Sequence, residues 1–211
     1  MEKRLLTLGA SLLLLSACGF GTPDIVQPSD NQGDNPSTVQ DPSDKNPPAA
    51  IQPIILRANP SESHIAIAGK KGSIILNQGK FNTIDFQMFL NPERPKAFEI
   101  QQIGVGILIG SMVTDNVGLT MNLLSRDYLN SERFPLASFV STSIENTGGT
   151  LYRITGELTL RDVTRSISFD AEITNKELSM NTMINTNDFG LRQMEDYDPD
   201  VPVQAKIVFA Q

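Results

Sequence analysis

Hydrophobic and polar residues alternate with a period of two through most of the chain beyond Ile54. A period of two places one face of a strand against a core and the other face in solvent, which is typical of antiparallel sheets. The pattern therefore predicts an all-β domain. The clearest runs are FNTIDFQMFL, LYRITGELTL, SISFDAEI and QAKIVFA.

Turn-forming residues separate these runs, so the strands follow one another closely. The turns are NPERP, NTGG and TNKE, of which NTGG is a good hairpin sequence. Closely spaced strands favour a sandwich or an up-and-down barrel. Roughly eight strands are expected, the number at which a barrel can enclose one small ligand. A short helical stretch is expected near Ser125 to Phe134, and no long helix is expected.

The apolar run at the start of the chain has a different character. Lys3 and Arg4 precede an apolar stretch from Leu5 to Ala17. It has ~13 residues, whereas a helix that spans a bilayer needs ~20. A cleaved secretory signal peptide over residues 1–17 is therefore favoured over a membrane span.

The single cysteine, Cys18, follows this run directly. It can form neither an internal disulfide nor a cysteine-based zinc site. The tetrapeptide Leu15-Ser16-Ala17-Cys18 resembles a bacterial lipobox. That resemblance implies that Cys18 is acylated, becomes the first mature residue and anchors the chain to a membrane, since several acyl chains hold a protein stably. An ordinary signal peptide with an incidental cysteine is the alternative.

Composition divides the rest of the chain into a tether and a domain. Residues 18–52 are rich in Pro, Asp, Asn, Ser and Gln and contain almost no aromatic residues. Such a segment cannot bury enough apolar surface to offset its ordering entropy, so we expect a disordered tether that reaches on the order of 30 Å as a flexible coil and more if extended. Residues 53–211 form the predicted barrel domain. The net charge of -7 does not favour nucleic acid as a partner.

Three motifs follow in order along the second half of the chain. They are Phe134-Pro135 with Ala137, Phe139 and Ser141-Thr142-Ser143; Gly156-Glu157-Leu158-Thr159 leading to Val163-Thr164; and Asp188-Phe189-Gly190-Leu191. With a looser match at NPSESHIAIAG, they resemble the YceI-like polyisoprenoid-binding family over about residues 54–211. The resemblance implies an eight-stranded antiparallel, lipocalin-like barrel. Its apolar interior would take the chain of a polyprenyl lipid or a quinone.

The sequence departs from the family pattern at three positions. Asp162 stands where a glycine usually precedes the Val-Thr pair, Thr186 stands near the place of an arginine, and Ile67 replaces a common aromatic residue. These departures bear on the head-group end of a ligand site and leave the fold prediction intact. Barrels of this family often pair, so a homodimer is an open alternative.

Inward-facing residues of a barrel either fill the core or line a cavity. Leu and Phe serve both purposes, so these residue types do not decide between the two. Core filling is the default for a barrel interior, whereas the resemblance favours a lipid-binding cavity. The predicted lining set is Phe86, Met88, Ile107, Ile109, Phe139, Ile154, Leu158, Leu160, Ile167, Phe169 and Met180.

Three further features suggest other chemistry only weakly. In IGVGILIG the third glycine falls one place too late for a dinucleotide fingerprint and no helix follows, so the glycines fit a strand where a barrel bends or a ligand comes close. EDYDPDV spaces three aspartates like the start of a calcium loop but lacks its glycine and final glutamate. His64, the one histidine, would have to serve any triad or zinc-bound water.

Together these observations predict a non-catalytic protein that binds, sequesters or carries an isoprenoid or quinone-type lipid in its barrel. We expect no cofactor and no metal. The lipobox and Gly19, which is not the aspartate linked to inner-membrane retention, predict an outer-membrane lipoprotein facing the periplasm. The alternatives are an envelope structural or protein-interaction module with a filled core, and an enzyme acting on an isoprenoid.

Overall fold

The computed structural model describes residues 52–94 and 97–210. All of them belong to one unit, Pro47–Gln211. The predicted signal peptide, Cys18 and the predicted tether up to residue 51 lie outside the described residues.

The described chain is dominated by one antiparallel sheet with the strand order β1-β4-β5-β7-β8-β9-β10-β11-β2-β3-β6. One α-helix, α1 (Val117–Leu124), follows β6, and short 3-10 turns occupy Ile109–Ser111 and Thr186–Phe189. The strands are β1 (Ile54–Arg57), β2 (His64–Lys71), β3 (Ile74–Phe81), β4 (Ile84–Leu90), β5 (Ile100–Leu108), β6 (Met112–Thr114), β7 (Leu136–Gly148), β8 (Leu151–Leu160), β9 (Val163–Ile173), β10 (Glu177–Asn185) and β11 (Asp200–Val208).

The sheet curls into a barrel-like shape, which confirms the predicted all-β fold class. Just beyond β1, Ala58 forms an isolated bridge to Phe209, which follows β11. The predicted number of eight strands is wrong, since the described residues contain eleven. Part of the excess arises because β1 and β6, with four and three residues, are too short to show alternation in the sequence.

The predicted short helix is present, but it ends at Leu124, just before residues 125–134. Asn116 caps α1 by accepting a hydrogen bond from the Leu119 N–H at 3.0 Å. Ser125 ends it, and its hydroxyl donates to the Asn122 carbonyl at 2.7 Å. Asn130 then adopts a φ of 49°. Polar side chains that bond to nearby backbone groups compete with helix formation, and residues 125–134 consequently form turns.

The alternating apolar residues meet on the inner face of the curl. The register pairs Phe139 with Leu158 and Ile154 with Phe169, and the rings of Phe139 and Phe169 lie 5.4 Å apart. Most of the buried apolar residues form two clusters. One contains Phe86, Met88, Leu90, Ile103, Phe139, Ile154, Ala171, Ile173, Leu178, Ile207 and Phe209, and the other contains Ile65, Phe81, Ile109, Met112, Leu129, Ala137 and Ala205.

The two ends of the sheet differ in what covers them. We call the mouth end the one that holds the β2–β3 hairpin, α1 and the loop 186–199. The loop is held there because the Asp198 N–H donates to the Lys70 carbonyl at 2.8 Å. The far end holds the β7–β8 and β9–β10 hairpins, and the first residue of β1, Ile54, pairs there with Leu90.

Candidate functional site

The interior of the curled sheet contains two adjoining cavities. The outer cavity has a volume of about 220 Å³ and reaches the mouth end, and the inner cavity has a volume of about 100 Å³. Five residues line both of them, so the two cavities are direct neighbours inside the curl. The shared residues are Ile65, Ile107, Leu158, Ile184 and Val203.

The inner cavity is lined almost wholly by apolar side chains. Phe86, Phe139 and Phe169 are among its lining residues, and Thr182 is the one lining residue with a polar side chain. It overlaps the buried cluster around Ile154, which is completely inaccessible to solvent. Apolar molecules gain by leaving water for such a space, whereas polar molecules would lose hydrogen bonds there.

The outer cavity becomes polar only toward its mouth. Leu119 and Leu123 of α1 form part of its wall. An elongated molecule with an apolar body and one polar end matches this gradient. The polar residues that line it are Asn77, Gln78, Thr114, Tyr128, Thr186, Arg192, Gln193, Tyr197 and Asp198.

The loop 186–199 is fixed to the β2–β3 hairpin by two side chains. The Tyr197 hydroxyl donates to the Asn77 side-chain oxygen, and the Tyr197 ring lies directly over Gly69. A Cβ atom on Gly69 would lie 2.6 Å from that ring, so this approach requires glycine. The loop therefore forms one side of the mouth.

Asp198 makes the second attachment of this loop. Its carboxylate accepts hydrogen bonds from the Lys70 ammonium at 3.1 Å and from the Gly72 N–H at 2.8 Å. The Lys70 hydrogen bond, followed by the Gly72 one, lowers the pKa of Asp198 below its ordinary value of 3.8. The carboxylate therefore stays charged, and the attachment intact, at neutral pH.

The structure brings ten of the eleven predicted lining residues to the cavity walls. Met88 is the exception: it is completely buried in the core and lines neither cavity. Ile109 lines the outer cavity from a 3-10 turn and not from a strand. Whether these residues bind a lipid stays a prediction. The ten are Phe86, Ile107, Ile109, Phe139, Ile154, Leu158, Leu160, Ile167, Phe169 and Met180.

Sequence reasoning missed the helical wall and the polar rim of the mouth. The four-residue spacing of Leu119 and Leu123 behind the capping residue Asn116 was the available signal for α1. The rim left no such signal, because Asn77 and Tyr197 are 120 residues apart. Only the pairing of distant strands brings them together.

Two positions at the mouth bear on the predicted departures from the family pattern. The Thr186 hydroxyl donates to the Pro199 carbonyl at 3.0 Å, so it holds the loop together. Arg192 lines the outer cavity and lies 3.7 Å from the Asp127 carboxylate. A guanidinium group is therefore present at the mouth, six positions after Thr186 in the sequence.

The three aspartates of EDYDPDV each contact different partners. Asp196 lies 3.9 Å from Lys71, Asp198 is bound by Lys70 and Gly72, and Asp200 accepts from Asn185 at 2.6 Å. Within residues 52–94 and 97–210, no group of three or more His, Cys, Asp or Glu side chains is arranged to hold a metal ion.

The remaining single features occupy ordinary surface positions. His64 is exposed at the start of β2. Gly104 and Gly106 alternate along β5 with the inward Ile103, Val105 and Ile107, and a Cβ on Gly104 would meet nothing within 4 Å. These two glycines therefore lie on the outer face of the sheet. Among the described residues, no helix has the length and apolar character needed to cross a bilayer.

Comparison with known proteins identifies the family. Residues 56–209 match the model of the YceI-like domain. The chain belongs to the YceI-like domain family. This confirms the resemblance carried by the three sequence motifs. A UPF0312 protein of Pseudomonas putida is 27% identical over 124 residues, and one of Photorhabdus laumondii is 33% identical over 95 residues. The match covers 54% of this chain and 63% of the Pseudomonas relative, and 45% and 47% for the Photorhabdus one.

Solved structures share the fold at low sequence identity. Burkholderia cenocepacia BcnA superposes with a TM-score of 0.65 and 18% identity, covering 73% of this chain and 99% of BcnA. A polyisoprenoid binding domain from Saccharophagus degradans, implicated in plant cell wall breakdown, superposes with a TM-score of 0.55 and 11% identity. The superposition covers 75% of this chain and 98% of that domain. These likenesses establish the curled antiparallel fold.

Proposed function

We propose that this protein binds an isoprenoid-type lipid, a polyprenyl chain or a quinone with such a chain, in the adjoining inner and outer cavities. The observation that carries the proposal is the gradient along these cavities, since Thr182 is the one polar side chain of the inner cavity and the other polar side chains line the outer cavity. The polyisoprenoid binding described for the Saccharophagus degradans domain supports the same ligand class.

The physical gain is the transfer of an apolar chain out of water. Burial is worth roughly 25 cal/mol for each Å² of apolar surface, and the inner cavity offers an apolar side chain on almost every side. Ligand pockets in proteins hold roughly 300–1,000 Å³, and the two cavities together reach the lower end of that range. Their presence supports a binding protein over the alternative of a module with a filled core.

The proposed place of action is the bacterial cell envelope. Acylation at Cys18 would hold the domain near a bilayer, which is both a source and a destination for such a lipid. The protein would then sequester or carry its cargo without changing it chemically. The proposed location is the outer membrane, on the side that faces the periplasm.

Solvent extraction of the purified domain tests the proposed ligand class. The fragment Pro47–Gln211 contains the whole described sheet and both buried clusters, so it can be purified without the N-terminal segment. Mass spectrometry of the extract should find an isoprenoid chain at close to one per protein. The emptied domain should also bind added geranylgeraniol or a ubiquinone, measured by quenching of its tyrosine fluorescence. The proposal is overturned if the extract contains no isoprenoid and the emptied domain binds neither added lipid.

A further inference from the structure

The tip of the β2–β3 hairpin carries three consecutive exposed apolar residues. Ile74, Ile75 and Leu76 keep 65%, 47% and 42% of their surface in solvent. Successive residues of a strand point to opposite faces, so a strand that packs on a core hides every second one. Exposure of all three shows that neither face of this stretch is fully covered, although loop 186–199 packs against the neighbouring Gly69 and Gly72. The hairpin therefore projects beyond the sheet as an apolar edge.

Helix α1 presents a second apolar surface beside the mouth. Val117 and Met121, one helical turn apart, are 77% and 70% exposed, whereas Leu119 and Leu123 line the outer cavity. None of the eight residues of α1 carries a charge. A surface helix in contact only with water normally has polar or charged residues on its outer face.

Asp115 joins these two surfaces. Its carboxylate accepts hydrogen bonds from the Asn77 side chain at 2.8 Å and from the Gln78 N–H at 3.0 Å. Leu76 immediately precedes Asn77, and Val117 is two residues beyond Asp115, so the hairpin tip and the start of α1 are neighbours. Asn77 and Gln78 also line the outer cavity. We call Ile74, Ile75, Leu76, Val117 and Met121 the mouth patch.

We propose that the mouth patch docks on a lipid bilayer and so directs the mouth of the outer cavity at the membrane. The proposal rests on the proposed function, because an isoprenoid lipid is dissolved in a bilayer and would otherwise have to cross water to enter the cavity. Apolar surface around a cavity mouth is typical of partner or membrane sites. The absence of charge on α1 suits contact with lipid, since charged side chains are costly to bury there.

The chain before the domain is long enough to permit this orientation. Cys18, the predicted acylated residue, precedes the first described residue by a segment whose fully extended reach is on the order of 110 Å. The longest strand, β7, has 13 residues and spans roughly 43 Å. Because β1 begins at the far end, the segment must pass the length of the sheet before the mouth can face an anchoring bilayer, and its reach allows that.

Vesicle flotation tests the docking surface without the acyl anchor. The fragment Pro47–Gln211, emptied of cargo, is mixed with phosphatidylcholine vesicles and floated through a density gradient. We expect the unmodified fragment to float and the double variant Ile74→Asp, Val117→Asp to lose at least tenfold of the floating fraction. Aspartate in the first turn of a helix is favourable, so Val117→Asp should leave α1 folded. Circular dichroism checks that the variant keeps its sheet.

The matched control carries the same change at two exposed apolar residues away from the mouth. Leu151 lies at the far end and Val140 on the outer face of β7, with 53% and 45% exposure. The variant Leu151→Asp, Val140→Asp should float as the unmodified fragment does. Failure of the fragment to float, or equal loss in both double variants, would overturn the docking proposal.

Two further measurements separate the outcomes. The mouth-patch variant should bind geranylgeraniol in detergent-free solution as the unmodified fragment does. If neither the unmodified fragment nor any variant binds geranylgeraniol, the proposed function is contradicted, and flotation still tests docking. Light scattering reports whether the fragment is a monomer. The docking proposal is also overturned if the unmodified fragment is a dimer that does not float and the mouth-patch substitutions dissociate it. A second copy of the chain would then cover the patch.

Discussion

Asp115 accepts a hydrogen bond from the side-chain amide of Asn77 at 2.8 Å, across 38 residues of sequence. The contact lies where β3 meets the segment that leads into α1. It is reinforced in the other direction by the Asp115 N–H, which donates to the Gln78 carbonyl at 2.9 Å. The bond from Asn77, and then that from Gln78, lowers the pKa of Asp115. One carboxylate thus fixes the helical wall of the outer cavity to its strand wall.

The substitution Asp115→Asn should loosen α1. An amide in place of the carboxylate has one acceptor oxygen and adds N–H groups that face donors, so the bonds from Asn77 and Gln78 cannot both persist. We expect the backbone amides of residues 117–124 to exchange with deuterium at least tenfold faster, with the strands unchanged. The control is Asp170→Asn, which removes an exposed carboxylate that pairs with Arg153 at 2.6 Å. Unchanged exchange in α1 would contradict the role given to Asp115.

The attachment of loop 186–199 through Asp198 should weaken in acid. The pKa of Asp198 is lower in the folded state than its ordinary 3.8, so its contribution to stability is fully present above that value and is lost as pH falls through the folded pKa. Wild-type protein should therefore melt at a higher temperature than Asp198→Asn at pH 7, and the gap should close in acid, once the pH has fallen below 3.8 and through the lower folded-state pKa. Thermal scans of both proteins over this pH range measure it. A gap that stays constant down to low pH would contradict the assignment.

Filling the junction of the two cavities should block the proposed cargo. Leu158 lines both cavities, and a tryptophan there would occupy space that an apolar chain needs. We expect Leu158→Trp to weaken geranylgeraniol binding at least tenfold, measured by fluorescence titration. Leu151→Trp is the matched control on the same strand, because Leu151 is exposed. Equal binding by the two variants would place the cargo elsewhere.

The local sequence predicted the curled sheet because long alternating strands carry their own pattern. Phe86, Ile154 and Phe169 were recognised as inward-facing from period two alone, and the structure places all three on the inner face. Met88 obeys the same alternation yet lines neither cavity. Alternation tells which face a residue occupies, whereas cavity position depends on how neighbouring strands bend.

The mouth could not be predicted because its contacts are long-range. Asn77 meets both Asp115 and Tyr197, and neither partner is near it in sequence. The helix was misplaced for a local reason, since the residues after Ser125 look helical in composition while their polar side chains bond to the backbone in turns. The apolar side chains of Ile74 and Val117 are indistinguishable in sequence from core residues.

Ser141 should be important for stability although its side chain is small. It is a buried residue whose hydroxyl accepts a hydrogen bond from the Ile103 N–H at 2.8 Å, next to a register shift in β7. Ser141→Ala leaves that buried N–H without a partner, so we expect a loss of about 1–3 kcal/mol in the free energy of unfolding. Urea denaturation measures it. Ser143→Ala is the control, since Ser143 is exposed and should change stability by less than about 0.5 kcal/mol; equal losses would contradict the argument.

Gly156, within one of the motifs shared with the family, should tolerate no side chain. A Cβ atom there would meet the Val140 carbonyl oxygen and lie 2.5 Å from Cζ of Phe139. A backbone carbonyl in a paired strand cannot move aside, and the Phe139 ring is itself packed on Phe169. We therefore expect Gly156→Ala to lower the free energy of unfolding by about 1–3 kcal/mol in urea denaturation. Gly104→Ala, on the outer face of β5 with nothing within 4 Å of its Cβ, should leave stability unchanged or slightly higher. A neutral effect at Gly156 would mean that the close approach of β7 and β8 has been misassigned.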